Sequence, residues 1–151
     1  MFKQMLRDLL LTYGPSGRED AIAACIERYA APHADQIRRD ALGNLIVRRA
    51  GTSGRRVMLS AHMDQIGLVV VDIDETGFLR VAPVGGIQAA VAAARQVEFA
   101  NGVQGVTGWE TKTKTPATAT IPELFVDIGA IDRESAEAHV NIGDMLSLIH
   151  I

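Results

Sequence analysis

The chain has 151 residues, 48% of them hydrophobic, and a formal net charge of −3 at pH 7. This length suits one ordinary domain or two small lobes, and the apolar content is ample for a buried core, which excludes a largely disordered chain. The mild negative charge argues against nucleic acid as a partner, because binding to phosphates needs a concentrated basic face.

The cysteine content and the N-terminal segment predict a cytoplasmic protein. Cys25 is the only cysteine, so no intrachain disulfide can form, and this suits a reducing compartment. The first ten residues, MFKQMLRDLL, lack the apolar core and cleavage site of a signal peptide. Since no apolar run approaches the roughly 20 residues of a membrane-spanning helix, we expect no membrane partner.

Two amphipathic helices are predicted at the start of the chain. Residues 2–13 place apolar side chains at the spacing of one helical stripe, and a Gly-Pro pair then ends the helix. Ser16 and Glu19 have the spacing of a capping box, in which the serine hydroxyl accepts from a helical amide and the glutamate reaches back. The second helix would follow this box and end at Pro32.

From residue 36 onward the pattern changes from helices to strands. The segments QIRRDA (36–41) and NLIVRR (44–49) flank a possible turn and predict a pair of strands. The segment VMLSAHMD (57–64) is mostly apolar. An apolar run of this kind is typical of a central strand that is buried on both faces.

Residues from about 69 to 146 have the pattern of short strands joined by tight turns. The Asn-Gly pair at 101–102 is a strong hairpin signal, because both residues tolerate the positive φ of a tight turn. Residues 109–121 are polar and predict an exposed loop, and Asp132 can cap a short helix. We therefore expect a small β-barrel after a first part, residues 1–68, of helices packed on a sheet.

His62 and Asp64 are the best candidates for chemistry. They are two residues apart on the predicted strand, so both side chains point to the same face. A neutral imidazole can bind a divalent metal through one nitrogen, while a nearby carboxylate holds the other N–H and fixes the tautomer. From the spacing alone, a partly buried histidine that is only hydrogen-bonded to an aspartate is the better explanation of the pair.

The segment LSAHMDQIGLVV (59–70) resembles the metal-binding strand of the TET-type aminopeptidases, the tetrahedral, deblocking or glutamyl aminopeptidase family. Some members of this family are described as endoglucanases. Five further segments occur in the family's order and spacing, so that the resemblance covers roughly residues 1–146: GPSGRED, DALGNLIV, GFLRVAPVGG, GVQGVTG and LFVDIGAIDRESAEAHVNIGD.

The resemblance implies an α/β fold. Residues 1–68 would be the N-terminal part of a phosphorylase/hydrolase-like α/β/α catalytic domain, and residues 69–146 an inserted PDZ-like β-barrel that drives assembly into a homo-oligomer. It also implies two divalent metal ions, zinc or cobalt, and a metal-activated water that attacks the first bond of a peptide substrate. By resemblance His62 is a ligand of one metal, and Asp64 is the carboxylate that orients it.

The remaining ligands of the family's metal site follow the barrel, and they include an adjacent Glu-Glu pair that supplies a ligand and the general base. This chain contains no Glu-Glu dipeptide, and His33, His139 and His150 are expected to be exposed rather than ligands. We therefore expect a truncated form that is inactive alone. We also expect the last five residues, SLIHI (147–151), to be a non-native tail outside the fold.

The sequence departs from the family pattern at two places. Gln65 stands where the family usually has glutamate, which removes a negative charge near the expected metal. The residues Ala93-Ala94-Arg95 replace a Pro-Gly-containing turn before the second barrel strand, which affects the loop geometry of the barrel and its subunit contacts.

Two other functions are compatible with parts of the sequence. The chain could be a non-catalytic oligomerisation or peptide-binding module, since PDZ-like barrels bind peptides by strand addition. Residues 1–68 would then be half a sheet with an open edge, which favours aggregation. A glycoside hydrolase would need two facing carboxylic acids. Asp72 and Asp74 share a strand face but flank a predicted turn, where we expect them to be solvated.

Overall fold

The structure is a computed structural model that describes residues 2–110 and 115–148. The chain divides into two compact units between Asp64 and Gln65. The sequence-based boundary at residues 68 and 69 stays a prediction. Within the described ranges, no helix has the length and apolar character to cross a bilayer.

The first unit contains the two predicted helices and the predicted hairpin. Its elements in chain order are α1 (Phe2–Leu11), α2 (Asp20–Ala30), a 3-10 turn (Ala31–His33), β1 (Gln36–Arg39) and β2 (Leu45–Arg48). The two strands pair antiparallel, with Ile37 opposite Val47. Both helices and the hairpin are therefore confirmed.

The inner face of α2 forms the small core of this unit. Ile22, Ala23 and Cys25 are buried there. A Cβ atom added at Gly14 would lie 2.6 Å from Cγ2 of Ile22, so the chain approaches α2 closely before it turns. The Asp8 carboxylate of α1 accepts a hydrogen bond of 2.5 Å from the Tyr29 hydroxyl, which ties the helices together.

The predicted capping box before α2 is wrong. The N-cap residue is Glu19, and its side chain makes no capping hydrogen bond. Oε1 of Glu19 instead accepts from the Gly17 amide at 2.6 Å. Ser16 lies three residues before the N-cap, in a turn closed by the Arg18 amide on the Pro15 carbonyl, and its hydroxyl donates to the Asp64 carboxylate.

The expected central strand at residues 57–64 is also wrong for the described part of the chain. This segment has no strand structure, and Val57, Met58 and Leu59 are 86%, 88% and 93% exposed. A central strand needs hydrogen-bonded neighbours on both edges. The only sheet of the first unit in the described residues is the β1–β2 pair, so this apolar run has no sheet to enter.

The second unit is the predicted barrel, built from six antiparallel strands. The closed order is β3-β4-β7-β6-β5-β8. The strands in chain order are β3 (Gly67–Ile73), β4 (Leu79–Val84), β5 (Gln96–Phe99), β6 (Gln104–Trp109), β7 (Leu124–Asp127) and β8 (Met145–Leu148). Two short helices accompany them, α3 (Ala89–Ala92) and α4 (Arg133–Glu137). Closure removes the open sheet edges that favour aggregation.

Alternation along the strands fills the barrel with branched aliphatic side chains. Its buried residues include Leu68, Val70, Leu79, Val97, Leu124, Val126 and Leu146. The Asn-Gly turn predicted at 101–102 joins β5 to β6, with Gly102 at φ +85°. Asp132 caps α4 through a 2.8 Å hydrogen bond from the Ser135 amide. Both local predictions are confirmed.

The predicted loop at 109–121 is only partly described. Residues 111–114 lie outside the described residues. The described remainder contains two 3-10 turns, Pro116–Thr118 and Ile121–Glu123. Trp109, which begins the segment, is the last residue of β6 and packs against the barrel core.

The end of the described chain belongs to the barrel. Ser147 pairs with Gly67 of β3, and Leu148 pairs with Val97 of β5. Excluding these two residues from the fold was therefore wrong, because β8 closes the barrel between β3 and β5. Residues 149–151 of the expected tail, with His150, lie outside the described residues.

Ala94, in the segment Ala93-Ala94-Arg95, adopts the left-handed conformation. Its φ is +55°, and no other described non-glycine residue has a positive φ. The Ala94 amide donates to the Thr107 carbonyl at 3.0 Å, and the Thr107 amide donates to the Arg95 carbonyl at 2.9 Å. The hydrogen bonds from both sides hold the chain in a conformation that glycine adopts more readily than alanine.

Replacing Ala94 by glycine should stabilise the barrel by up to about 1 kcal/mol, because it relieves the strain of a Cβ atom at positive φ. Urea unfolding followed by the fluorescence of the single tryptophan, Trp109, reports this unit directly. Ala93 is a matched control, since it is buried at φ −65°. Ala93→Gly should destabilise by roughly 0.5–1 kcal/mol. Equal losses in the two variants would contradict the assignment of strain to Ala94.

Candidate functional site

His62 and Asp64 lie side by side, as the sequence predicts. Nδ1 of His62 lies 3.0 Å from Oδ1 of Asp64 and 3.1 Å from the Asp64 backbone oxygen. Both neighbours are acceptors, so Nδ1 carries the proton of the neutral imidazole. Nε2 then keeps its lone pair. This is the tautomer that a metal ligand needs, although the contact forms without the predicted strand.

The second carboxylate oxygen of Asp64 binds a residue that sequence analysis assigned to another role. The Ser16 hydroxyl donates to Oδ2 of Asp64, across 48 positions of the chain. This hydrogen bond, followed by the one from His62, holds the pKa of Asp64 below its ordinary value. Asp64 is therefore ionised at neutral pH and accepts from both sides. The string GPSG in the family resemblance was the signal that could have pointed to Ser16.

The described residues do not form a metal site by themselves. Within residues 2–110 and 115–148, no group of three or more His, Cys, Asp or Glu side chains could hold a metal ion. His33 and His139 are exposed. A catalytic zinc site needs about three protein ligands. The imidazole of His62 has the chemistry of one such ligand, and the Asp64 carboxylate has that of its hydrogen-bonding partner. The other ligands would have to come from elsewhere.

Gln65 is the first residue of the second unit. Its Oε1 accepts a hydrogen bond of 3.0 Å from the Ser147 hydroxyl, and Ser147 is buried in β8. The carboxamide therefore has a partner within the barrel unit. The departure from glutamate is accommodated there without an unsatisfied buried hydroxyl.

The two other carboxylates considered from the sequence have structural partners: Asp74 stabilises the β3–β4 turn, and Asp72 pairs with an arginine of α4. Oδ1 of Asp74 accepts from the Thr76 and Phe78 amides at 3.0 and 3.1 Å, and Oδ2 lies 3.2 Å from the Arg80 guanidinium. Asp72 lies 3.4 Å from the Arg133 guanidinium. These contacts give both carboxylates a structural role. Asp72 and Asp74 therefore do not form the facing pair of acids that a glycoside hydrolase needs.

Comparisons with known proteins agree with this architecture. Residues 43–150 match the family model of the M42 glutamyl aminopeptidases. A putative aminopeptidase of Acetivibrio thermocellus is 39% identical over 136 residues, which are 90% of this chain and 41% of that protein.

Two solved structures share the fold. An aminopeptidase from the archaeon Desulfurococcus kamchatkensis superimposes with a TM-score of 0.86 at 31% identity, over 96% of this chain and 42% of that one. The TET1 peptidase of Pyrococcus horikoshii gives a TM-score of 0.80 at 33% identity, over 98% and 46%. This chain thus spans less than half the length of these relatives. The matched range and the shared fold show that the chain belongs to the M42 glutamyl aminopeptidase family.

Proposed function

We propose that this chain is the N-terminal portion of a two-metal aminopeptidase that removes N-terminal residues from short peptides. The observation that most supports this is the His62–Asp64 pair, in which the 3.0 Å contact at Nδ1 leaves Nε2 available for a metal. Membership of the M42 family supports the peptidase reaction. We call the longer protein, in which the remaining catalytic residues follow this chain, the complete enzyme.

In the complete enzyme His62 binds one of two divalent ions, zinc or cobalt, through Nε2. Asp64 holds the Nδ1 proton and keeps the imidazole ring in a fixed orientation, which makes Nε2 a better donor. When bound, the ions provide Lewis-acid activation of the water that attacks the first peptide bond. The general base and the other ligands come from outside this chain.

The exposed apolar residues 57–59 support the proposal that residues outside this chain complete the catalytic domain. Three adjacent large apolar side chains in water are unfavourable by roughly 1.5–3 kcal/mol each relative to burial. In the complete enzyme we expect residues 57–59 to be covered by the rest of the catalytic domain. Residues 1–68 would then belong to the catalytic domain, and residues 69–146 to the barrel domain.

We further propose that the barrel domain assembles the complete enzyme into a cytoplasmic homo-oligomer. The Pyrococcus horikoshii relative assembles into a tetrahedron or an octahedral shell. The barrel of this chain exposes the apolar residues Val71, Val106, Ile131 and Ile142, which are candidates for a subunit contact.

The test is a comparison of the 151-residue chain with the complete enzyme. The complete enzyme, supplied with zinc or cobalt, should hydrolyse an aminoacyl chromogenic substrate, and a chelator should abolish the turnover. The chain alone should show none, because one imidazole and its carboxylate cannot hold two ions or supply a base. Chelator-sensitive turnover by the chain alone would refute the proposed division of the site.

A further inference from the structure

We infer that Ser16 is a positioning residue of the metal site, which acts through Asp64 to set the orientation and tautomer of His62. The inference rests on the proposed function for its catalytic consequence. The contact itself, from the Ser16 hydroxyl to Oδ2 of Asp64, does not depend on it.

Ser16 has no capping role that would explain its hydroxyl. A serine before a helix commonly satisfies an orphan amide of the first turn, which stabilises the helix by about 1 kcal/mol. Here α2 begins after Glu19 and receives no side-chain cap. The hydroxyl instead reaches a carboxylate that is 48 positions away in the chain. The local stabilisation is absent, and a distant contact is made in its place.

Asp64 depends on this contact for its orientation. Its side chain is 37% exposed, and the side chain of His62 is 86% exposed, so packing restrains neither strongly. Oδ1 faces Nδ1 of His62 while Oδ2 accepts from Ser16. Because the two oxygens are bound to opposite partners, rotation of the carboxylate would break both hydrogen bonds together. Without Ser16, the exposed imidazole would be the only other side chain among the described residues that hydrogen-bonds to the carboxylate.

The segment that carries the pair makes this anchor important. Residues 57–64 have no strand partner among the described residues. The hydroxyl of Ser16 therefore connects the site to the turn before α2, whose own geometry is fixed by the 2.8 Å bond from the Arg18 amide to Pro15. A metal ligand on an otherwise unpaired segment gains a defined position from this turn.

Three variants test the inference. Ser16→Ala removes the hydroxyl, Ser16→Thr keeps it, and Ser53→Ala makes the same chemical change in an exposed turn. The first readout is the tautomer of His62 in the metal-free chain, from long-range proton–nitrogen NMR at about pH 8, which is above the ordinary pKa of histidine side chains. The second is the affinity of the complete enzyme for cobalt, from competition with a chromogenic chelator and from the visible spectrum of bound cobalt.

We expect a predominantly Nδ1-protonated His62 in the wild type, in Ser16→Thr and in Ser53→Ala, and a shift towards the Nε2-protonated form in Ser16→Ala. The cobalt affinity of Ser16→Ala should fall by about tenfold, within the range found when support for a metal ligand is removed. An unchanged tautomer in Ser16→Ala would overturn the inference.

If the wild-type complete enzyme binds no cobalt, the proposed function fails, while the tautomer of His62 still decides the role of Ser16. Circular dichroism shows whether each variant folds. If Ser16→Ala does not fold, Ser16→Thr decides the question, and loss of the Nδ1-protonated form in folded Ser16→Thr would count against the inference.

Discussion

Replacing His62 by alanine should lower the metal-dependent turnover of the complete enzyme by more than about a hundredfold. Removing the hydrogen-bonding partner of a metal ligand typically reduces metal affinity or activity by about 10–100-fold, and here the ligand itself is lost. The side chain is 86% exposed, so the substitution removes little packing. The fold should survive, and the loss should appear as metal released to a chelator at lower chelator concentrations.

His33→Ala is the matched control for this experiment. His33 is also an exposed histidine of the first unit, in the 3-10 turn that follows α2. The control should retain wild-type turnover and metal content. Loss of both properties in the two variants alike would point to a general effect of removing histidines. Full activity in His62→Ala would remove His62 from the metal site.

The barrel could be predicted from the sequence because its signals are local. Alternation of apolar residues, the turn at 101–102 and the cap at Asp132 each concern a few neighbouring residues. Such signals do not depend on contacts with distant parts of the chain. The pairing of His62 with Asp64 is equally local, since only one residue separates them and both partners of Nδ1 belong to Asp64.

The failed predictions concern partners that lie far away in the chain. Ser16 and Glu19 fit a capping box, but the sequence carries no sign that the hydroxyl would instead meet Asp64. The apolar run at 57–64 has the composition of a buried strand, yet burial requires neighbouring strands. The described residues do not provide them. Composition indicates what a segment prefers, and only the rest of the fold decides whether that preference is met.

The end of β8 illustrates the same limit. The segment SLIHI carries no turn signal and follows the resemblance read from the sequence, which ends near residue 146, so residues 147–151 are expected to lie outside the fold. Pairing with Gly67 and Val97 nevertheless includes Ser147 and Leu148 in the barrel. Register with strands that lie about 50 and 80 positions earlier is a tertiary property. It follows that the stability of the barrel should depend strongly on this late strand.

Leu146→Ala should destabilise the barrel by about 2–5 kcal/mol. Leu146 is fully buried and lies opposite Leu68 of β3 and Phe99 of β5. Truncation to alanine would therefore leave a cavity where β8 joins the two strands that it connects. Urea unfolding followed by Trp109 fluorescence measures the change in the barrel unit, which contains the only tryptophan.

Ile131→Ala makes a comparable truncation at a side chain of the barrel unit that is 85% exposed. It should change the free energy of unfolding by less than about 0.5 kcal/mol. The difference between the two variants isolates burial, because Trp109 reports the same unit in both. If Leu146→Ala also changed stability by less than about 1 kcal/mol, well below the range for a buried leucine, β8 would not be the strand that closes the barrel. A large loss would instead establish that residues 145–148 are an integral part of this unit.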